Sequence, residues 1–190
     1  MARWEPGADG RLREAALALF LERGYEQTTV AEIAQRAGVT ARTYFRHFAD
    51  KREVLFSGAE GVRVGMAEAM ARAPADATPV VVAGLALDAA AEAIGHRRAF
   101  YRQRQVVVDA NVELQERELM KLADLADVLA AGLRERDVPD PEARLVAEAA
   151  ITVLGVGFHR WVASPDDPDD TVDLGATLRE VLGELLALRG

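Results

Sequence analysis

Apolar residues in this chain recur mainly at helical spacing, and runs that alternate like strands are scarce. Leu12, Ala15, Ala16, Leu19 and Phe20 fall on one face of a first helix, which Gly24 ends. Thr29 and Glu32 form a capping box, in which hydroxyl and carboxylate each satisfy a free backbone N–H. Val30, Ile33, Ala34 and Ala37 then stripe a second helix that stops at Gly38. Thr40 caps a short third helix through His47. In "DKRE", Asp50 caps and Glu53 closes a second box, which predicts a long helix over 50–73.

Downstream, Thr78-Pro79, Asp140-Pro141 and Asp167-Pro168 each set a capping residue before a proline suited to the first helical position. They predict helices near 79–95, 97–110, 112–137, 141–163 and 168–188. The valine triplets at 80–82 and 106–108 would allow strands, but their alanine, arginine and glutamine neighbours favour helix. The expected fold is all-α: a three-helix head over 1–56 and a larger helical body over 57–190.

Composition narrows the function classes. The 190 residues suffice for one large domain or two small ones, and 50% hydrophobic with 28% charged residues is an ordinary globular mixture. No apolar run reaches the roughly 18 residues of a membrane span. The amino terminus, "MARWEPGADGR", lacks the apolar centre of a signal peptide, so a cytoplasmic location is expected. The absence of cysteine removes disulfides, thiol catalysis and thiolate metal sites. His47, His96 and His159 are too scattered for a metal motif, and no phosphate loop or nucleophile elbow occurs. An enzyme is therefore not expected, and neither metal nor cofactor is implied.

Charge is unevenly placed. The chain carries a net −8, yet residues 1–56 carry +1 and the remainder −9. Between Arg36 and Arg52 stand five cations (Arg36, Arg42, Arg46, Lys51, Arg52) and one acid, Asp50. A positive spot on a negative body points to an anionic partner. Two helices joined by a tight glycine turn, "IAQRAGVTARTYF", form a helix-turn-helix pattern. Helical phase sets Val39, Tyr44 and Phe48 toward the first two helices, and Arg42 and Arg46 together on the opposite side.

The stretch "GYEQTTVAEIAQRAGVTARTYFRHFADKREVLF" resembles the DNA-binding head of the TetR family of bacterial repressors. The matching features are Gly-Tyr after the first helix, "T-V-x-E-I-A", "A-G-V-T", an aromatic-x-x-Phe and the closing Asp-Lys with Val-Leu. The resemblance covers 11–56 and implies a homodimeric, sequence-specific regulator of transcription. It implies a repressor released from a palindromic operator by a small-molecule effector. An activator of the same architecture, or an interaction protein with a degenerate head, remains an alternative. It further implies that Thr29 meets a phosphate and that Ala41, Arg42 and Thr43 meet bases and backbone. Arg46 and His47 would meet bases or phosphates, and Lys51 a phosphate. Arg42 is the best candidate for guanine, whose O6 and N7 accept a bidentate guanidinium. Phe45 stands where the family often has a tyrosine on phosphate. Without the hydroxyl, it is left with apolar contact to a thymine methyl or a sugar.

The body offers weaker signals. Leu178, Val181, Leu182 and Leu185, with Leu188, form one apolar stripe, and "EAAITVLGVGF" over 148–158 is small and apolar. Such a helix pair suits either the four-helix dimer interface that the resemblance implies or the chain's own interior. Phe100, Tyr101, Phe158 and Trp161 are candidates to line an effector pocket, with His96 and His159 behind them. The arginines within "HRRAFYRQR" would suit an anionic effector, or pair with the acidic surroundings.

Overall fold

The computed structural model describes residues 7–95, 97–165 and 172–188, and all regular structure among them is helical. His96 and the Asp167-Pro168 pair lie outside the described residues. The elements run α1 (Ala8–Arg23), α2 (Val30–Arg36), α3 (Ala41–His47), a 3-10 turn (Glu53–Leu55), α4 (Ala59–Arg72), α5 (Pro79–Ile94), α6 (Arg98–Asp109), α7 (Val112–Arg134), α8 (Asp140–Ala163) and α9 (Leu174–Ala187).

The chain divides into two compact units. One combines Met1–Ser57 with Phe100–Glu118, and the other combines Gly58–Ala99 with Leu119–Gly190. In the first unit Leu12, Ala16 and Phe20 of α1, Ile33 and Ala34 of α2, and Tyr44 and Phe48 around α3 share one core. Val107, Val108 and Leu114, far along the sequence, complete it. Buried Arg104 holds this return of the chain in place. Its Nε donates to the Leu55 carbonyl at 3.0 Å, Nη1 pairs with Glu118 at 2.8 Å, and the guanidinium lies 4.5 Å over the Phe56 ring. A guanidinium spent on a carbonyl, a carboxylate and a ring is satisfied where a bare charge would be costly.

The expected helix over 50–73 is broken. Asp50 does accept from the N–H groups of Arg52 (2.8 Å) and Glu53 (3.0 Å), but the cap opens only the 3-10 turn. Glu53 pairs with Arg117 instead of closing a box. Val54, Leu55 and Phe56 are all buried in succession, which an α-helix lying on one face of a core cannot achieve. The helix restarts at Ala59 as α4.

In the second unit α4 packs on α5, α8 on α9, and α5 on both. Thr78 caps α5 with Pro79 in its first turn, as expected. Asp140 does not cap α8: the helix already includes it, Pro139 takes the cap position, and Asp140 pairs with Arg134. Asp173 caps α9, accepting from Ala176 N–H at 2.8 Å. By length and hydropathy α8 would suffice to cross a membrane. Its Ala143, Ala147, Ala150, Leu154, Gly157 and Trp161 are instead buried within the unit. Gly157 is needed for this packing, because a Cβ there would stand 2.5 Å from Leu178 Cδ2.

Candidate nucleic-acid interface

The helix-turn-helix is built by local hydrogen bonds. The Thr29–Glu32 capping box is complete: Glu32 N–H donates to the Thr29 hydroxyl at 3.3 Å, and Thr29 N–H to the Glu32 carboxylate at 2.8 Å. Those contacts hold the Glu32 carboxyl below its usual range. Gly38, at φ +68°, makes the turn in the left-handed region that glycine enters without strain. It brings Val39 N–H to the Ala34 carbonyl at 2.9 Å. Thr40 then caps α3 through Thr43 N–H at 3.2 Å, and its hydroxyl meets that of Thr43 at 3.1 Å.

These caps fix the phase of α3. Tyr44 and Phe48 are buried with ring centroids 5.2 Å apart, and Val39 packs against the same core. The Tyr44 hydroxyl donates to the Asp50 carbonyl at 3.2 Å. Burial pushes its ionisation well above the ordinary tyrosine range. On the other side Ala41, Arg42, Phe45, Arg46 and His47 are exposed and Thr43 is half-buried. Phe45, 56% exposed, lies with the outward set, its ring edge-on to Tyr44 at 5.6 Å.

The five cations of 36–52 separate sharply. Arg36 makes two 2.6 Å contacts with Glu22, whose carboxyl this hydrogen bonding holds below its usual range. Arg52 pairs with Asp50 at 2.9 Å. Lys51, expected on a phosphate, turns its amine inward to the carbonyls of Tyr25 (2.9 Å) and Thr28 (3.2 Å), and it sits 4.0 Å over the Tyr25 ring. Among the described residues Arg42 and Arg46 have neither an acid partner nor a hydrogen bond. One face of one helix therefore presents two uncompensated guanidinium groups. Sequence reading did not single out Tyr25 as the seat of Lys51; its position after Gly24 was the available signal.

The body residues fare differently. Phe100 packs against the core of the first unit, edge-on to Tyr101 at 5.5 Å. Trp161 is buried in the second, its Nε1 donating to the Val172 carbonyl at 2.9 Å, with Phe158 at 5.9 Å. A cavity of about 280 Å³ beside Trp161 is lined also by Asp88, Glu92, Arg98, Asp173 and Arg179, and not by Phe158. His159 is exposed, its Nδ1 2.8 Å from the Gly155 carbonyl. The leucine stripe of α9 splits: Leu178 and Val181 are buried in the chain's own core, Leu182 is half-buried, and Leu185 is 37% exposed. Leu178 is taken up by close packing on Gly157 of α8 and Val181 is buried as well, so neither is presented to a partner.

A capped helix-turn-helix with cations on its outer face, followed by a helical body, defines a class of DNA-binding regulator. Residues 12–57 match the family described as bacterial regulatory proteins, tetR family. The regulator TcmR of Streptomyces glaucescens is 43% identical over 72 residues, 38% of this chain and 31% of TcmR. The repressor KstR2 of Mycobacterium tuberculosis is 46% identical over 46 residues, 24% of this chain and 23% of KstR2. The matched segments thus span under a third of either relative. Across the body the likeness is one of fold: the FadR regulator of Bacillus subtilis, solved with stearoyl-CoA, superposes with a TM-score of 0.59 at 23% identity, covering 94% of this chain and 97% of that one. The tetR-family match therefore identifies the DNA-binding head, residues 12–57, and the fold likeness carries the body.

Proposed function

We propose that this protein is a cytoplasmic, homodimeric repressor of transcription that binds a palindromic operator through α3 and leaves it when a small molecule binds the body. The observation that carries the reading is the pair Arg42 and Arg46, one turn apart on the exposed face of α3 and unpartnered while their neighbours are engaged. Solvent-exposed guanidinium groups that no protein acid engages are free to take an external anion or acceptor, and phosphates and guanine edges supply both. Arg42 reads guanine, and Arg46 a base or phosphate. Thr29, Thr43 and His47 border the contact, and Ala41 leaves room for close approach. Lys51 acts chiefly from behind, tying the 25–28 turn to the end of α3; its phosphate contact is at most a single remaining N–H.

In this reading the head acts over 1–56, reinforced by 100–118, and the body over 57–190 carries dimerisation and effector binding. The dimer contact falls to exposed Leu185 and half-buried Leu182 of α9, beside exposed Val156 of α8. Two-fold symmetry then sets the half-sites about one helical turn, or a multiple of it, apart. The effector site is the cavity beside Trp161, a mixed polar lining in which Arg179 pairs with Asp88 and Asp173 and Arg98 donates to the Pro165 carbonyl. FadR's complex with stearoyl-CoA supports such a use of the body.

The test is selection of bound duplexes from a random-sequence pool, followed by titration across a salt series. A palindromic consensus bound with a steep negative salt slope is expected. Recovery of no sequence preference would sink the reading, and native mass spectrometry of the same sample would report a monomer if the dimer assignment is wrong.

A further inference from the structure

Phe45 is a large apolar ring held in water on the same helix as the two unpartnered arginines. Its surroundings make the placement specific. Ala41 is one turn earlier, so Ala41 and Phe45 form an apolar ridge running beside the cationic ridge of Arg42 and Arg46. The ring is steered by its edge-on contact with buried Tyr44, 5.6 Å away, and has no hydroxyl to donate. It flanks the helix, between the core side of Tyr44 and Phe48 and the outermost position of Arg46.

What such a ring can meet in a DNA groove is limited. Pressed on a phosphate it would remove water from an anion and return no hydrogen bond, which is unfavourable. The C5 methyl of thymine is the one apolar group that the major-groove edge of a normal base pair offers. It stands at the rim of the groove floor beside the backbone, where a flanking side chain arrives when Arg42 and Arg46 enter the middle. We infer that Phe45 is a specificity-determining residue that reads a pyrimidine C5 methyl in each half-site, next to the base pair read by Arg42. The inference rests on the operator reading above and names a feature of that operator.

The selected duplex is the probe, resynthesised with deoxyuridine replacing each thymidine in turn. Uracil pairs as thymine does and lacks only the methyl. At one position per half-site the substitution should weaken wild-type binding about fourfold, the factor matching about 0.8 kcal/mol for one buried methyl group. Phe45→Ala should bind the thymidine duplex as weakly as wild type binds a duplex carrying deoxyuridine at that position in both half-sites, and should lose nothing further on the substitution. With cytosine at that position, adding a 5-methyl group should strengthen wild-type binding and leave Phe45→Ala unchanged. The ring is exposed, so the variant keeps its fold; circular dichroism checks that. If wild type binds its selected duplex but no single methyl matters, the inference is overturned and the operator reading stands. If Phe45→Ala weakens all sequences equally, the ring touches backbone and the inference is overturned likewise. If selection yields no sequence, both fall.

Discussion

Helices α3 and α9 both present an outward and an inward side, but they divide their residues by different rules. In α3 the division follows chemistry at every position but Phe45: rings Tyr44 and Phe48 face in, while Arg42 and Arg46 face out with no partner among the described residues. In α9 one apolar stripe serves two ends, with Leu178 and Val181 inside and Leu185 outside. A cation on a surface asks for a partner of known chemistry. An exposed leucine asks only to leave water. Charge placement is therefore the more informative kind of exposure, and the two helices should respond differently to substitution.

The largest effect is expected inside α9. Leu178 is 1% exposed and locked against Gly157, so Leu178→Ala should cost about 2–5 kcal/mol of stability through lost burial and a cavity. Leu185→Ala should change stability by no more than about 0.5 kcal/mol, as surface substitutions do. Its effect should appear as a dimer dissociating at higher concentration. Chemical denaturation with sedimentation measures both, and equal destabilisation by the two variants would erase the proposed split of the stripe.

On α3 the readout is binding. Arg42→Ala should cost about 1–3 kcal/mol in specific binding and relax discrimination at one base position. Arg46→Ala, if it meets phosphate, should lower affinity evenly across sequences and reduce the salt slope by about one. Arg36→Ala, whose charge Glu22 already compensates, should leave binding nearly unchanged. A titration in which Arg36 matters as much as Arg42 would break the distinction between partnered and unpartnered cations.

The head was legible because its signals are local. Thr29 with Glu32, Gly38 and Thr40 each act within a few residues, so caps and phase could be read directly. Lys51 escaped because its partners are carbonyls at Tyr25 and Thr28, more than twenty residues away, and carbonyls carry no sequence identity. The return of 100–118 into the head was hidden for the same reason: Arg104 is held by the Leu55 carbonyl and a ring. The helix expected over 50–73 failed where tertiary burial of Val54, Leu55 and Phe56 overrode a good capping signal. In the body, Phe100, Tyr101, Phe158 and Trp161 are common core residues, and their type alone does not mark a pocket.

Lys51 allows the two roles of a cation to be separated. Lys51→Met keeps the stem and removes the charged donor, so it should cost about 1.5–3 kcal/mol of stability, the usual range for hydrogen bonds that involve a charged group. The salt slope should move by less than one, because the amine is already engaged with protein carbonyls. A full unit of lost slope with unchanged stability would return Lys51 to the phosphate.

The smallest effect concerns how the end of α3 is held. Burial tends to raise the Asp50 carboxyl, but the Arg52 ion pair and the N–H groups of Glu53 and Arg52 outweigh it, and the net shift is downward. A carboxyl lowered in the folded state adds stability above its unfolded value, near 4, and loses it as pH falls through the lower folded value. Stability should thus decline from about pH 4 downward. Asp50→Asn, which is neutral at every pH, should flatten that part of the curve while costing a fraction of the Lys51 effect, since the group is partly exposed and solvent screens it. Thermal unfolding of both proteins between neutral and acid pH checks this. An unchanged acid limb in Asp50→Asn would mean that Glu22 and Glu32, also lowered, hold the head against acid.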